Sequence, residues 1–262
     1  MINTDDFRYM RRGIPLAILH PESAHILAPV DSRGEKKERA LLLLHGFSSS
    51  PAVFRNIISK LSGYDAIVSP ALPGHGESIN AFSVVKAQEW VNATEKLCAS
   101  LCEEYQMVDV LGLSLGGILA CNLSKKFPLR HLYLLAPALD LHSNISLLLW
   151  YGRFLQALGF KLLRNRAGNL LSEQFGELAY RQLPIVTIME LLNYIRNFKF
   201  TAPTCPMDLF LGEYDAVVDS KKIAKRFATA PTNIHWLSNS AHVLPLDGDV
   251  DEILECVKNN LK

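Results

Sequence analysis

The sequence predicts an α/β chain: a mostly parallel, doubly wound central sheet with helices on both faces and a small helical insertion. Three observations carry this. Short, unalternating apolar runs, suited to strands buried on both faces, alternate with stretches of helical period along most of the chain. One such run, 107–113, passes through Gly112-Leu113-Ser114-Leu115-Gly116 into a helix-like pattern, so a serine sits at the apex of a strand-to-helix turn. The rhythm breaks once, over 137–203, and then returns.

Taken in order, the stretch up to Val30 is Pro-rich and supplies one or two edge strands, with 26–30 the best candidate. The charged run 31–39, with Gly34 near its middle, reads as a solvated hairpin tip. Residues 40–44 form a buried strand that ends in His45-Gly46-Phe47. Ser50 caps and Pro51 opens a helix that runs to about Leu61, and Gly63 stops it. A strand over 66–69, a Gly/Pro loop over 70–78 and a long helix over 84–105 lead to the serine turn. The helix after that turn runs to Phe127, ended by Pro128, and 131–136 is the next strand. Within 137–203 the pattern predicts helices over 147–163, 173–182 and 186–198 and no strand. Beyond Pro206 come a strand over 207–211, a helix over 219–229, a strand over 233–237 and a final helix over 250–261. This divides the chain into a core, 1–137 and 201–262, and a helical cap, 138–200. There are no internal repeats and no low-complexity tracts.

Composition narrows the function classes. The chain has 262 residues, 49% of them apolar, enough for a large core. Its 27 basic and 26 acidic residues give a net charge of +1, which offers no electrostatic case for nucleic acid or an anionic membrane as main partner. The five cysteines, 98, 102, 121, 205 and 256, are odd in number and show no metal spacing; reduced thiols in a cytoplasmic protein are expected. The amino-terminal apolar run is short and holds Pro15, so no secretion signal is read. The most apolar stretch, 145–163, is interrupted by Arg153, Gln156 and Lys161, which argues against stable membrane insertion.

A serine needs a base to take its proton and a carboxylate to orient that base. In an open parallel sheet these groups sit at the carboxyl ends of strands. Asp215 follows the strand 207–211 and His242 follows the strand 233–237. The Ser, Asp, His order fits one class of serine-hydrolase fold and not the others. Asp219 is the rival carboxylate, but it precedes a helix and reads as its N-cap. His45 and His75 are the rival histidines; the first faces an H-G turn, the second lies in P-G-H-G, and a packing or hydrogen-bonding role suits both better. Asp140 and His142 lack a third ligand for a metal pair. An oxyanion would be held by the N–H of Leu115, the residue after the nucleophile, and by that of Phe47 in the Gly46-Phe47 loop.

The runs L-L-L-L-H-G-F, P-G-H-G, G-L-S-L-G-G, the late Asp215 and S-A-H-V-L-P-L-D together resemble the small bacterial carboxylesterases of the α/β-hydrolase superfamily, close to the monoacylglycerol lipases. The resemblance covers about 40–136 and 203–261. It implies the α/β-hydrolase fold and an esterase with Ser114 as nucleophile, His242 as base, Asp215 as orienting acid, and Phe47 and Leu115 as oxyanion donors. It also implies that the insertion caps an acyl pocket. The family usually has glycine where this chain has Ala241.

The expected reaction is hydrolysis of a small ester with an apolar acyl chain, without cofactor or metal, by a monomer or homodimer. Phe47, Leu115, Trp150 and Phe154 are the candidate substrate contacts. The stripe Leu147, Leu148, Trp150, Phe154, Leu158 is equally explained by a cap helix packing on the core. Fold does not fix the bond cleaved, so a thioester, an amide, a peptide or acyl transfer stays open, as does a ligand-binding protein without catalysis.

Overall fold

The computed structural model describes residues 2–261; positions 1 and 262, the outermost of the expected core, lie outside it. The chain opens with an antiparallel ribbon, β1 (Phe7–Arg11) and β2 (Ile14–Ile18). Residues Pro21–Leu27 then form a 3-10 turn, and the next strand, β3 (Val30–Arg33), begins where the edge strand expected over 26–30 was to end. Pro29 has no N–H to give a ladder, which delays the strand to Val30.

β4 (Arg39–Leu44) is the buried strand before the H-G-F loop. Its Leu41, Leu42, Leu43 and Leu44 are fully buried, and at roughly 2 kcal/mol per leucine this fixes the strand between both helical layers. Ser50 Oγ accepts from Ala52 N–H at 3.3 Å and Pro51 takes the first helical position. The helix is shorter than expected: a 3-10 turn, Pro51–Phe54, runs into α1 (Arg55–Ile58). After β5 (Ala66–Ser69) the single helix expected over 84–105 is two, α2 (Ile79–Val84) and α3 (Ala87–Glu104). Val85 and Lys86 between them are extended, and each helix start is capped locally, by Ser78 and by Glu89.

Then come β6 (Met107–Leu113), α4 (Leu115–Leu123) and β7 (His131–Leu135). The insertion holds α5 (Ile145–Ala157), β8 (Leu162–Arg164), β9 (Glu177–Tyr180), β10 (Gln182–Pro184) and α6 (Ile185–Asn197). The chain closes with β11 (Met207–Gly212), α7 (Ser220–Arg226), β12 (Thr232–Leu237) and α8 (Val250–Asn259).

Two expectations are corrected here. The stretch 173–182 is not a helix: β9 pairs with β1, Phe7 opposite Tyr180 and Met10 opposite Glu177, and β8 pairs with β10. A short apolar run fits either period, and the ladder partner of β9 lies at the far end of the sequence. Nor is 31–39 a hairpin tip. β3 pairs antiparallel with β5, so the charged stretch carries the chain past β5 to β4.

The seven-stranded sheet runs β12-β11-β7-β6-β4-β5-β3, with only the edge strand β3 antiparallel. The carboxyl ends of β4, β6, β11 and β12 therefore open on one edge, and the loops bearing Phe47, Ser114, Asp215 and His242 leave from that edge.

The serine turn is the tightest point. Ser114 has φ +55° and ψ −111°, a region costly for a residue with a side chain. A Cβ on Gly112 would lie 2.3 Å from the Gly116 carbonyl oxygen, and one on Gly116 would lie 2.0 Å from that of Leu44. Both clashes are with backbone, so no side-chain movement relieves them. Gly116→Ala is expected to cost about 3 kcal/mol or more of stability; a denaturant midpoint equal to wild type would contradict this packing.

Candidate active site

Ser114 stands at the N-cap position of α4, and its side chain makes no cap hydrogen bond to that helix. Its Oγ lies 3.0 Å from His242 Nε2, and His242 Nδ1 lies 2.7 Å from Asp215 Oδ2. The three residues that sequence position singled out thus form one continuous chain of hydrogen bonds, although 128 residues separate Ser114 from His242.

The carboxylate end of this chain is fixed by its own loop. Asp215 Oδ1 accepts the N–H groups of Val217 and Val218 at 2.8 and 2.9 Å. Burial alone would push the carboxyl up. His242 and the two N–H donors outweigh it and hold Asp215 below the ordinary carboxylate range. At His242 burial acts downward, and the Asp215 carboxylate more than reverses it, so the imidazole is more basic than usual.

The rivals are placed elsewhere. His45 is fully buried and accepts from Leu72 N–H through Nε2 at 3.0 Å, while its Nδ1 faces the Gly46 carbonyl at 2.9 Å. Burial takes its pKa down to about 4, so it bridges two backbone segments as a neutral ring. His75 packs against it, ring centres 5.0 Å apart. Asp219 caps α7, accepting Lys222 N–H at 3.0 Å. Asp140 pairs with Arg226, and His142 Nε2 contacts the Asp215 carbonyl.

The loop after β4 comes close to the serine: a Cβ on Gly46 would stand 3.3 Å from Ser114 Cβ. Among the described residues, the N–H groups of Phe47 and Leu115 have no protein acceptor. Leu115 is at the first position of α4, whose dipole is positive there.

A cavity of about 250 Å³ contains Ser114 and His242 and is walled by Phe47 and by Leu183, Leu191, Ile195 and Val217. A larger polar groove of about 990 Å³, beside Arg55, Lys60 and Asp251, contains neither, so chemistry rather than size locates the site. Trp150 and Phe154 do not line the cavity, contrary to expectation. They are 61% and 47% exposed and stack on each other, rings 5.9 Å apart, on the outer face of α5. Positions 149, 152 and 155 form the buried face of that helix, and 150 and 154 fall on the other. Leu115 is buried beneath the site, so its side chain also stands outside the cavity wall.

Three residues that sequence reasoning passed over hold the site. The Asn169 carbonyl accepts from the N–H groups of both His242 and Val243, at 2.9 and 3.0 Å, and its Oδ1 accepts from Ala216 N–H at 3.0 Å. One insertion residue thus ties the histidine loop to the aspartate loop. Asp247 Oδ2 accepts Ala241 N–H at 2.8 Å and fixes the histidine loop from below. Glu177, on β9, is a buried carboxyl in the cavity wall that accepts Gly168 N–H at 2.7 Å; burial pushes its pKa up. The S-A-H-V-L-P-L-D run contained Asp247; nothing local marked the other two.

A model described as "Alpha/beta hydrolase family" matches residues 41–255. Among curated proteins, the thermostable monoacylglycerol lipase of Bacillus sp. (strain H-257) is 26% identical over 226 residues, covering 82% of this chain and 87% of the relative. The carboxylesterase of Bacillus subtilis (strain 168) is 23% identical over 223 residues, covering 82% and 88%. A solved structure from a study of LipS and LipT, two metagenome-derived lipolytic enzymes, superposes with a TM-score of 0.76 at 24% identity, covering 90% of this chain and 97% of that one. At that identity the structural likeness speaks for the fold. No helix among the described residues is long and apolar enough to cross a membrane.

Proposed function

We propose, on the premise that this chain belongs to the alpha/beta hydrolase family, that it is a serine carboxylesterase acting on small esters with an apolar acyl chain. The observation that carries this reading is the unbroken relay from Asp215 through His242 to Ser114, at 2.7 and 3.0 Å. Ser114 Oγ attacks the ester carbonyl as His242 Nε2 takes its proton. The Phe47 and Leu115 N–H groups receive the oxyanion, each such donor contributing about 3 kcal/mol in a comparable hydrolase. The tetrahedral intermediate collapses, the C–O bond to the alcohol breaks, and the imidazolium returns the proton to the leaving oxygen. Water, activated by the same imidazole, then releases the acid from Ser114. The apolar wall of Leu183, Leu191, Ile195 and Val217 supports the preference for an apolar acyl chain. The names of the two curated relatives, a lipase and a carboxylesterase, support an ester as the bond cleaved.

The test is a p-nitrophenyl ester series from short to long acyl chains, with matched thioesters and anilides. Ester turnover is expected to exceed the other two at every chain length. Higher turnover of the thioester or anilide would overturn the reading.

The base role sets a pH dependence. Only neutral imidazole accepts the serine proton, so kcat/KM is expected to rise as pH climbs through the His242 pKa. Asp215 raises that pKa, so the limb should lie above the ordinary imidazole value of about 6.5. A flat profile between about pH 5 and 9 would exclude His242 as base.

A further inference from the structure

A second cluster of reactive side chains lies away from the serine turn, where the starts of β7 and β11 meet the middle of β12, and the proposed esterase mechanism uses none of it. Asp208, the second residue of β11, is buried, and its two carboxylate oxygens point in different directions. Oδ2 accepts from His131 Nε2 at 2.7 Å and from Asn260 Nδ2 at 2.8 Å. Oδ1 meets His235 Nε2 at 2.7 Å. Cys256 Sγ, on α8, lies 3.9 Å from the same His235 nitrogen. One oxygen, one nitrogen and one sulfur from three elements thus lie within 4.8 Å of one another.

We propose that Asp208 Oδ1, His235 Nε2 and Cys256 Sγ form a binding site for one divalent cation of the zinc class. Such a donor set suits a borderline-soft ion and not the oxygen-seeking calcium or magnesium. Tetrahedral zinc with ordinary bond lengths needs donor atoms about 3.4–3.6 Å apart. The site reaches this spacing when His235 Nε2 and Asp208 Oδ1, 2.7 Å apart, part by under about 1 Å and Cys256 Sγ, 3.9 Å from Nε2 in a set that spans up to 4.8 Å, closes on both by about 1 Å or less. The surroundings fit as well. His131 and Asn260 hold the far carboxylate oxygen, leaving Oδ1 turned toward the site. The other ring nitrogen of His235, Nδ1, faces Glu252 Oε1 at 3.7 Å, the carboxylate partner that metal-bound imidazoles commonly have. On binding, the ring proton leaves Nε2 to solvent, Nδ1 takes one up on the side of Glu252, and the thiol proton of Cys256 leaves to solvent, a net release of one proton. A divalent charge at the site favours the thiolate form that ligation requires.

The test is titration of chelator-dialysed protein with Co²⁺ as a spectroscopic probe. Wild type is expected to bind one equivalent with a thiolate-to-cobalt charge-transfer band that Zn²⁺ bleaches. Cys256→Ser should lose the band, and Glu252→Gln, which touches no ligand atom in the core, should weaken binding about 10-fold or more. Ser114→Ala should bind as wild type does, which keeps this outcome separate from that of the esterase assay. Absence of the band from wild type, or its persistence in Cys256→Ser through the other cysteines, would overturn the site.

Discussion

Ser114→Ala is expected to lower kcat for an activated ester roughly 10⁶-fold, the loss seen when the nucleophile of a comparable serine hydrolase is removed. The hydroxyl is the only group at the apex of the turn that can form the acyl bond, and alanine keeps the shape of the elbow. Binding should survive, because the cavity wall of Phe47, Leu183 and Val217 is untouched. The measurement is p-nitrophenyl ester hydrolysis alongside labelling by a fluorophosphonate, with circular dichroism to show that the fold persists. A variant that keeps a tenth of wild-type activity, or still takes the label, would show that another residue attacks.

Asp215→Asn is expected to cost about 10⁴-fold in kcat, with KM little changed. The reason lies in what else Asp215 binds. Its Oδ1 accepts two backbone N–H groups, from Val217 and Val218. An asparagine has to keep its carbonyl oxygen there, which turns the NH₂ toward His242 Nδ1. The imidazole then accepts at Nδ1 and carries its proton on Nε2, the atom that must receive the proton of Ser114. The variant should therefore fold and bind but fail as a base. It should also lose the carboxylate that raises the His242 pKa, so whatever activity remains should have its pH limb at a lower value. A variant with near-normal kcat would mean that the aspartate neither orients the ring nor stabilises its charge.

The parts of this protein legible in its sequence are those in which one local signal carries the information. Gly112 and Gly116 marked the serine turn because backbone stands where their side chains would go. Asp215 and His242 could be placed because each follows the end of a short apolar run, and a parallel sheet gathers such ends on one edge. Ser50 and Asp219 announced helix starts through their own side chains. What stayed hidden depends on partners far away in the chain. β9 looked helical because its ladder partner is β1, with Phe7 opposite Tyr180. Glu177 and Asn169 reach the site from a segment with no strand-end signal of its own. Trp150 and Phe154 were legible as one face of a helix but not as the outer face, since helical period shows that two faces differ without showing which is covered. The Asp208, His235 and Cys256 grouping has no characteristic spacing, because two strands and a helix each supply one member.

The strand bearing Glu177 is sewn to residues 7–10 at the front of the chain by four successive cross-strand pairs. One side of the cavity thus owes its shape to a ribbon that belongs to neither the main sheet nor the two large helices of the insertion. Removing residues 7–10 would leave that sheet whole yet strip the seam from this side of the cavity. For this protein, residues 7–10 are part of the pocket's architecture.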